Sequence, residues 1–299
     1  MSNYIGEIAG IATSLFYALN AVFITNAAQK VGSVISNRMR VFFALLYLII
    51  LNWIMFQQPL PFDAGSNRWT WLSLSGVIGL AFGDAFLFQS YLSIGPRLGM
   101  LLLSLSPIAG ALEAWVFFGE TLRVGQIIGI ALTLGGIIWV ILEQGNGKTQ
   151  ISRHALIGIL FGILSAVFQA TGYVFSKQGM IGDFSPFQGN AIRMLAAALV
   201  LGLMVILQKE VKKDIETLKA NPSAIKNLAI AALIGPVLGV SSSLLAVQHA
   251  KVGVASTLTS LSPIFMLPVS HFIFKEKLGW QAIAGTFLAM AGVAILFLA

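Results

Sequence analysis

Ser104-Leu105-Ser106-Pro107 recurs as Ser260-Leu261-Ser262-Pro263, each time inside a long apolar run. Each run then reaches a glutamate (Glu120, Glu276), a leucine two residues on (Leu122, Leu278) and a glycine nine residues after the glutamate (Gly129, Gly285). Earlier, Asn37-x-x-Arg40 recurs as Asn190-x-x-Arg193 at the start of another apolar run. Gly10, Ile11, Phe16, Ala18, Val22 and Phe23 line up with Gly162, Ile163, Phe168, Ala170, Val174 and Phe175. The offset drifts only from 152 to 156 residues, so one unit is copied with small loop changes. A helix needs about 20 mostly apolar residues to cross a bilayer. Ten such runs are read, at 5–27, 37–56, 70–93, 98–118, 124–143, 154–177, 187–207, 227–248, 252–274 and 279–298. Five crossings per copy turn the second copy upside down relative to the first. The predicted fold is all-α and integral to the membrane: ten transmembrane helices as two inverted five-helix repeats, an arrangement from which many secondary transporters are built. Residues 1–145 form the first repeat and 146–299 the second, both within one membrane domain.

Composition agrees. Hydrophobic residues make up 57% of the chain and charged residues 10%, against about 25% charged in a soluble domain. There is no cysteine, which excludes a disulfide framework and thiolate metal sites. The three histidines are well separated, so no metal and no cofactor is expected. The net charge of +7 sits in short loops between apolar runs. Anionic lipid headgroups and topology explain it better than nucleic acid does. No Lys or Arg precedes the apolar stretch Ile5 to Asn26, and it is long for a signal-peptide core. It is read as a first transmembrane helix that stays in the protein. The polar connection from Gln208 to Lys226, with five lysines and three acids, is expected to be a short interfacial helix or loop. Loops after the odd helices hold thirteen Lys/Arg and those after the even helices four, which by the positive-inside rule puts the termini outside.

The chain resembles the drug/metabolite transporter superfamily, specifically its ten-helix EamA-domain branch. The resemblance rests on the SLSP stretches, "FFGETLRVGQIIG" and "IFKEKLGWQAIAG" at the ends of helices 4 and 9, "GDAFLFQSYLSIGPRLG" across helices 3 and 4, and "AVQHAKVGVASTLTSLSP" across helices 8 and 9. It covers essentially the full length. It implies a central cavity lined by helices 1–4 and 6–9, peripheral helices 5 and 10, alternating access by rocking of the halves, and cytoplasmic termini, against the loop count. It leaves the substrate open among amino acids, other metabolites, drugs and nucleotide sugars.

Asp84 lies near the middle of predicted helix 3, between Gly83 and Ala85. A carboxylate there costs several kcal/mol unless paired, hydrated or protonated, so Asp84 is a candidate proton carrier or a structural hydrogen-bonding group. Ser106, Gly110, Glu113 and Phe117 share one helical face, and Glu113 is the second candidate for proton coupling. Glu7 sits near the start of helix 1 and is read as interfacial. Arg40 and Arg193 each follow an asparagine by three residues. Either could bind an anionic group bidentately, snorkel to the headgroups, or serve a gating role shared by the repeats. Tyr17 aligns with Gln169 and Asn20 with Gly172, while Thr171 and Tyr173 add polarity to helix 6. These positions suit substrate binding and helix–helix hydrogen bonding equally. Gln89, Tyr91, Gln248 and His249 are expected at a cavity mouth or the interface, and His271 between helices. Helix 9 carries Ser256, Thr257, Thr259, Ser260 and Ser262, which with Ser104 and Ser106 could form a hydroxyl-lined wall. Pro107 and Pro263 each remove a helix hydrogen bond, making a matched pair of candidate gating kinks. The pairs Gly6/Gly10, Gly125/Gly129, Gly158/Gly162 and Gly235/Gly239 are read as packing sites within the protomer.

The expected function is a secondary transporter that moves a small polar metabolite, an amino acid or a related compound, by alternating access with protons as a candidate coupling ion. A proton-independent exchanger or facilitator, a drug or cation exporter, and a channel stay open as alternatives. An intramembrane enzyme is disfavoured. Ala81-Phe82-Gly83-Asp84 lacks the first glycine of a GxGD motif, no second mid-membrane aspartate shares the proton, and no H-E-x-x-H is present. The expected partners are a small-molecule substrate and the lipid bilayer, not nucleic acid, for a monomer or homodimer. The expected location is the plasma membrane of a bacterium or archaeon, as a multi-pass protein.

Overall fold

A computed structural model describes residues 4–118, 121, 123–144, 152–182, 184–250 and 252–298. Glu120 and Leu122 of the repeat lie outside the described residues, as do the side chains of Phe117, Gln248 and Ser256. The elements described are helical throughout. Eight stretches are long and apolar enough to cross a membrane. In lipid, a helix is one of two ways to satisfy every backbone donor and acceptor internally, which is why apolar runs of this length take this form.

In the first half, α1 (Ile5–Val31) and α2 (Ser33–Phe56) are joined through Gly32, whose φ of +84° suits glycine. A third stretch, Ser66–Leu103, is hydrogen-bonded as 38 residues. At about 1.5 Å per residue it would be about 57 Å long, nearly twice a bilayer core of about 30 Å. It reverses at Gly95, where φ is +82°, and Pro96 begins the return. Its parts are α3 (Ser66–Ser75), a π-helical segment (Gly76–Gly83) and α4 (Asp84–Leu103). Then come α5 (Ser106–Phe118) and α6 (Val124–Gln144). The second half opens with α7 (Arg153–Gly179), α8 (Pro186–Leu207) and the short polar α9 (Val211–Ala220), which lies within the connection read as an interfacial helix or loop. It continues with α10 (Pro222–Ala232), a second π segment (Leu233–Gly239), α11 (Val240–His249), α12 (Val252–Thr259), α13 (Ser262–Phe272) and α14 (Trp280–Leu298).

The ten apolar runs are therefore not ten unbroken helices. The run at 98–118 breaks at Ser104-Leu105, and that at 252–274 breaks at Ser260-Leu261. Pro107 and Pro263 do not kink a continuous helix. Each sits in the first turn of the helix that restarts after the break, where its missing N–H is no loss.

The halves interlock. Helix α1 packs on α10, α11 and the second π segment, all of the other half. Helix α7 packs reciprocally on α3, α4 and the first π segment. Ala18, Ala21 and Ile24 of α1 share one core with Ala224, Leu228 and Ala231 of α10. The last helices of the two halves, α6 and α14, pair along glycines. A Cβ on Gly129 would lie 2.7 Å from the Gly292 carbonyl oxygen, and one on Gly136 2.5 Å from the Ala289 nitrogen. Gly6, Gly158, Gly162, Gly235 and Gly239 likewise meet neighbouring helices closely within the protomer. The outer faces carry bare apolar side chains such as Ile54, Leu142, Leu203 and Phe287, as lipid contact demands.

The face that bears the lysine-rich loops, called the basic face below, is tied across the halves. Arg97 Nε donates to Glu276 Oε2 at 2.9 Å, Arg38 Nη1 to Asp214 Oδ2 at 2.6 Å, and Lys30 Nζ to Ser223 Oγ at 2.8 Å. Two expectations of placement fail. Tyr91 is 4% exposed and stacks on Phe88 in the core, because α4 continues past it. His271 is exposed on the last turn of α13, with Nδ1 3.2 Å from the Glu276 carbonyl oxygen, rather than buried between helices.

Candidate functional site

The two π segments are matched, Gly79 and Gly83 of the first corresponding to Gly235 and Gly239 of the second at an offset of 156. A π turn disturbs the i→i+4 ladder and leaves carbonyls that need outside donors. The repeated asparagine supplies them. Asn37 Nδ2 donates to the carbonyls of Leu80 at 3.1 Å and Ala81 at 2.9 Å. Asn190 Nδ2 donates to the carbonyl of Pro236 at 3.0 Å.

The small residues of each π segment also let the opposite half's leading helix come close. Gly172 of α7 lies against Gly79, and Ser75 Oγ donates to the Gly172 carbonyl at 2.6 Å. Asn20 of α1 abuts Gly235, and Tyr17 abuts Gly239. The Tyr17/Gln169 and Asn20/Gly172 correspondences are thus spatial as well as sequential.

Asp84 is the first residue after the π segment and is 6% exposed. It is not the lone carboxylate that the sequence suggested. Arg40 Nη2 donates to Oδ2 in a buried ion pair, and Gln169 Nε2 donates to Oδ1 at 2.7 Å and to the Gly79 carbonyl at 3.3 Å. The Arg40 guanidinium also lies over the Phe88 ring, 5.1 Å from its centroid. Arg193 enters the same cluster from α8, its Nη2 3.8 Å from where a Cβ on Gly79 would stand, near enough to Tyr17, Tyr173 and Asp84 for charge interaction. Tyr173 lies beside Tyr17, with 53% of its surface accessible. The site therefore joins α1, α2, α4, α7 and α8, drawn from both halves.

Other candidates fall elsewhere. Thr171 Oγ1 donates to Glu113 Oε1 at 2.8 Å, and Gly110 approaches Ala170. The face carrying Glu113 is thus a contact between α5 and α7, next to the bare side chains of Leu112, Trp115 and Val116. Ser106 is buried at the start of α5. Thr257 lies in the last turn of α12, beside Leu258, whose carbonyl accepts from Ser14 of α1, and Ser260 lies in the break that follows. Glu7 is half-buried with its Oε2 unpartnered. A separate cavity of about 640 Å³ opens below the basic face, between Ala81 and Ala85 on one side and Leu201 and Met204 on the other, with Arg38, Lys213 and Asp214 at its rim.

Sequence reasoning missed the asparagine-to-π-segment bonds and the Arg97–Glu276 tie. The offset of 156 that relates the SLSP stretches also relates the π-segment glycines, and would have found the first.

The profile of the EamA-like transporter family matches residues 4–142 and again 156–298. An uncharacterized transporter of Synechocystis is 25% identical over 262 residues, covering 81% of this chain and 76% of that protein. Protein LicB of Haemophilus influenzae is 30% identical over 142 residues, 46% of each chain. An uncharacterized transporter of Clostridium kluyveri is 29% identical over 141 residues, 47% of this chain and 44% of that one. The chain thus spans less than half the length of the Haemophilus and Clostridium relatives. A solved protein structure matches with a TM-score of 0.59 at 16% identity, covering 97% of this chain and 95% of the other, a likeness of fold.

Proposed function

The chain belongs to the EamA-like transporter family, and from that premise we propose that it is a secondary transporter for a small polar metabolite, an amino acid or a related compound, working by alternating access. The observation that carries this reading is the cluster of Tyr17, Arg40, Asp84, Gln169, Tyr173 and Arg193. It is polar, contributed by both halves, and close to the midpoints of α1 and α7. Secondary transporters bind at such a depth, between repeats, next to irregular helix.

Residues 1–145 and 146–299 are the two repeats of this machine. With the basic face tied shut by Arg97–Glu276 and Arg38–Asp214, the accessible side of Tyr173 serves the opposite face. Opening the basic face requires those ties to part and the broken helices α4–α5 and α12–α13 to tilt at Pro107 and Pro263. Asn20, Ser106, Thr171, Thr257 and Ser260 contribute polar wall. Asp84 carries the coupling proton, with Glu113 as the secondary carboxylate. The protein works in a plasma membrane. Proton-independent exchange is the competing mode.

Counterflow tests the carrier. Proteoliposomes preloaded with an unlabelled amino-acid mixture should transiently concentrate a labelled amino acid, with saturation. Flux that rises linearly with concentration would mean a pore, and exchange confined to organic cations would replace the metabolite class with drugs.

A further inference from the structure

Arg40 and Arg193 hold matched positions but have different surroundings. Arg40 has its counter-ion, Asp84, in the same half. The residue matched to Asp84 at the offset of 156 is Val240. Arg193 is 6% exposed and makes no hydrogen bond or ion pair among the described residues, and its Nε is buried without a partner. It does not snorkel outward. Its Nη2 lies 3.8 Å from where a Cβ on Gly79 would stand, so the guanidinium points into the π segment. Its backbone is held there because Gly76 leaves no room for so much as a Cβ between the helices. Asp84, near enough for charge interaction, has one oxygen bonded to Arg40 and the other to Gln169. The cluster thus contains two guanidinium groups and one carboxylate, an excess of one positive charge in a medium that penalises it.

We infer that Arg193 is the seat of a carboxylate carried by the substrate, which supplies to the second half the counter-ion that Asp84 supplies to the first. This rests on the transporter reading above. A guanidinium grips a carboxylate with two parallel N–H···O bonds. One unpaired guanidinium matches one carboxylate group, whereas a phosphate dianion would need a second free cation. Tyr17 and Tyr173 lie beside one another near Arg193, and the accessible side of Tyr173 marks the approach.

The test uses purified full-length protein in detergent, with each free L-amino acid and its carboxamide as probes and melting temperature and Kd as readouts. At least one free acid should stabilise the protein, and its carboxamide should bind at least tenfold more weakly. Arg193→Gln should melt at or above the wild-type temperature, because it removes an unpaired buried charge, and should lose the acid's stabilisation. Arg193→Lys, which keeps the charge without the fork, should retain partial binding. Equal binding of acid and carboxamide, binding unaffected by Arg193→Gln, or no response to any free acid would each overturn the assignment. Counterflow of a neutral or cationic compound without carboxylate binding would leave the transporter reading standing and remove this one. Carboxylate binding that needs Arg193, with no counterflow of any compound, would do the reverse.

Discussion

Asn37 and Asn190 make the same bond in opposite halves, each donating its side-chain amide to a carbonyl of the π segment beside it. The bond is what allows an irregular stretch of backbone to persist inside the bilayer, where no water can satisfy it.

Replacing Asn37 by alanine leaves the carbonyls of Leu80 and Ala81 without that donor. We expect a loss of about 1–2 kcal/mol, between the average interhelical bond in a membrane and the cost of an orphaned buried group. Asn190→Ala, which breaks one bond instead of two, should cost less. Unfolding of the two variants in detergent checks the order.

Asp84→Asn should be the costlier change in the charged cluster, because it strands Arg40 and leaves two buried guanidinium groups with no carboxylate near them. Breaking a buried pair typically costs about 3–5 kcal/mol. Arg40→Gln should cost less, since it leaves one guanidinium, that of Arg193, in the same cluster as the one carboxylate. Equal losses would mean that Arg193 is too distant to matter. In proteoliposomes, Asp84→Asn should also flatten the pH profile of whatever transport remains. An unchanged profile would remove Asp84 as the coupling group.

The seam between α6 and α14 offers a control within two adjacent residues. A Cβ on Gly136 would meet Gly285 and Ala289 backbone atoms at 2.6 and 2.5 Å, while one on Gly135 meets nothing within 4 Å. Gly136→Ala should therefore destabilise by about 1–3 kcal/mol through overpacking. Gly135→Ala should be neutral or stabilising by up to about 1 kcal/mol, as in any open helical site. Melting temperatures moving in opposite directions would bear this out.

Arg97→Gln or Glu276→Gln should loosen the basic face. The chain has no cysteine, so Met266→Cys gives a clean reporter beneath that face, at a site with no exposed surface. Its labelling by a membrane-impermeant maleimide should be slow in the intact background and several-fold faster once the pair is broken. Unchanged labelling would show that the pair does not hold the face closed.

Much of the fold could be read in the chain because a bilayer demands runs of fixed length, and the repeat marks itself through SLSP and Asn-x-x-Arg. What escaped reading depends on packing between the halves. Nothing local in Gly76 to Gly83 announces a π segment, since the pattern is apolar whichever helix forms. Asp84 looked solitary because its partners, Arg40 and Gln169, come from α2 and from the other half. Glu113 looked cavity-facing because its helical stripe is polar, but that stripe meets Thr171 of α7. Arg40 and Arg193 share one sequence pattern, each following an asparagine by three residues. Their difference emerges only when Val240 is set beside Asp84.

The cross-packing of α1 also imposes a timetable on biosynthesis. Its partners α10 and α11 begin at Pro222, some 190 residues after Val31. At roughly 5–20 residues per second, the first helix waits on the order of ten to forty seconds after leaving the ribosome before the surface it will occupy exists. During that interval Thr13, Ser14, Tyr17 and Asn20 have neither their final neighbours nor bulk water. The insertion machinery, or the adjacent α2, must hold this polar stripe until residues 222–249, which complete it, arrive. Substitutions there should lower yield in the membrane even where the finished protein tolerates them.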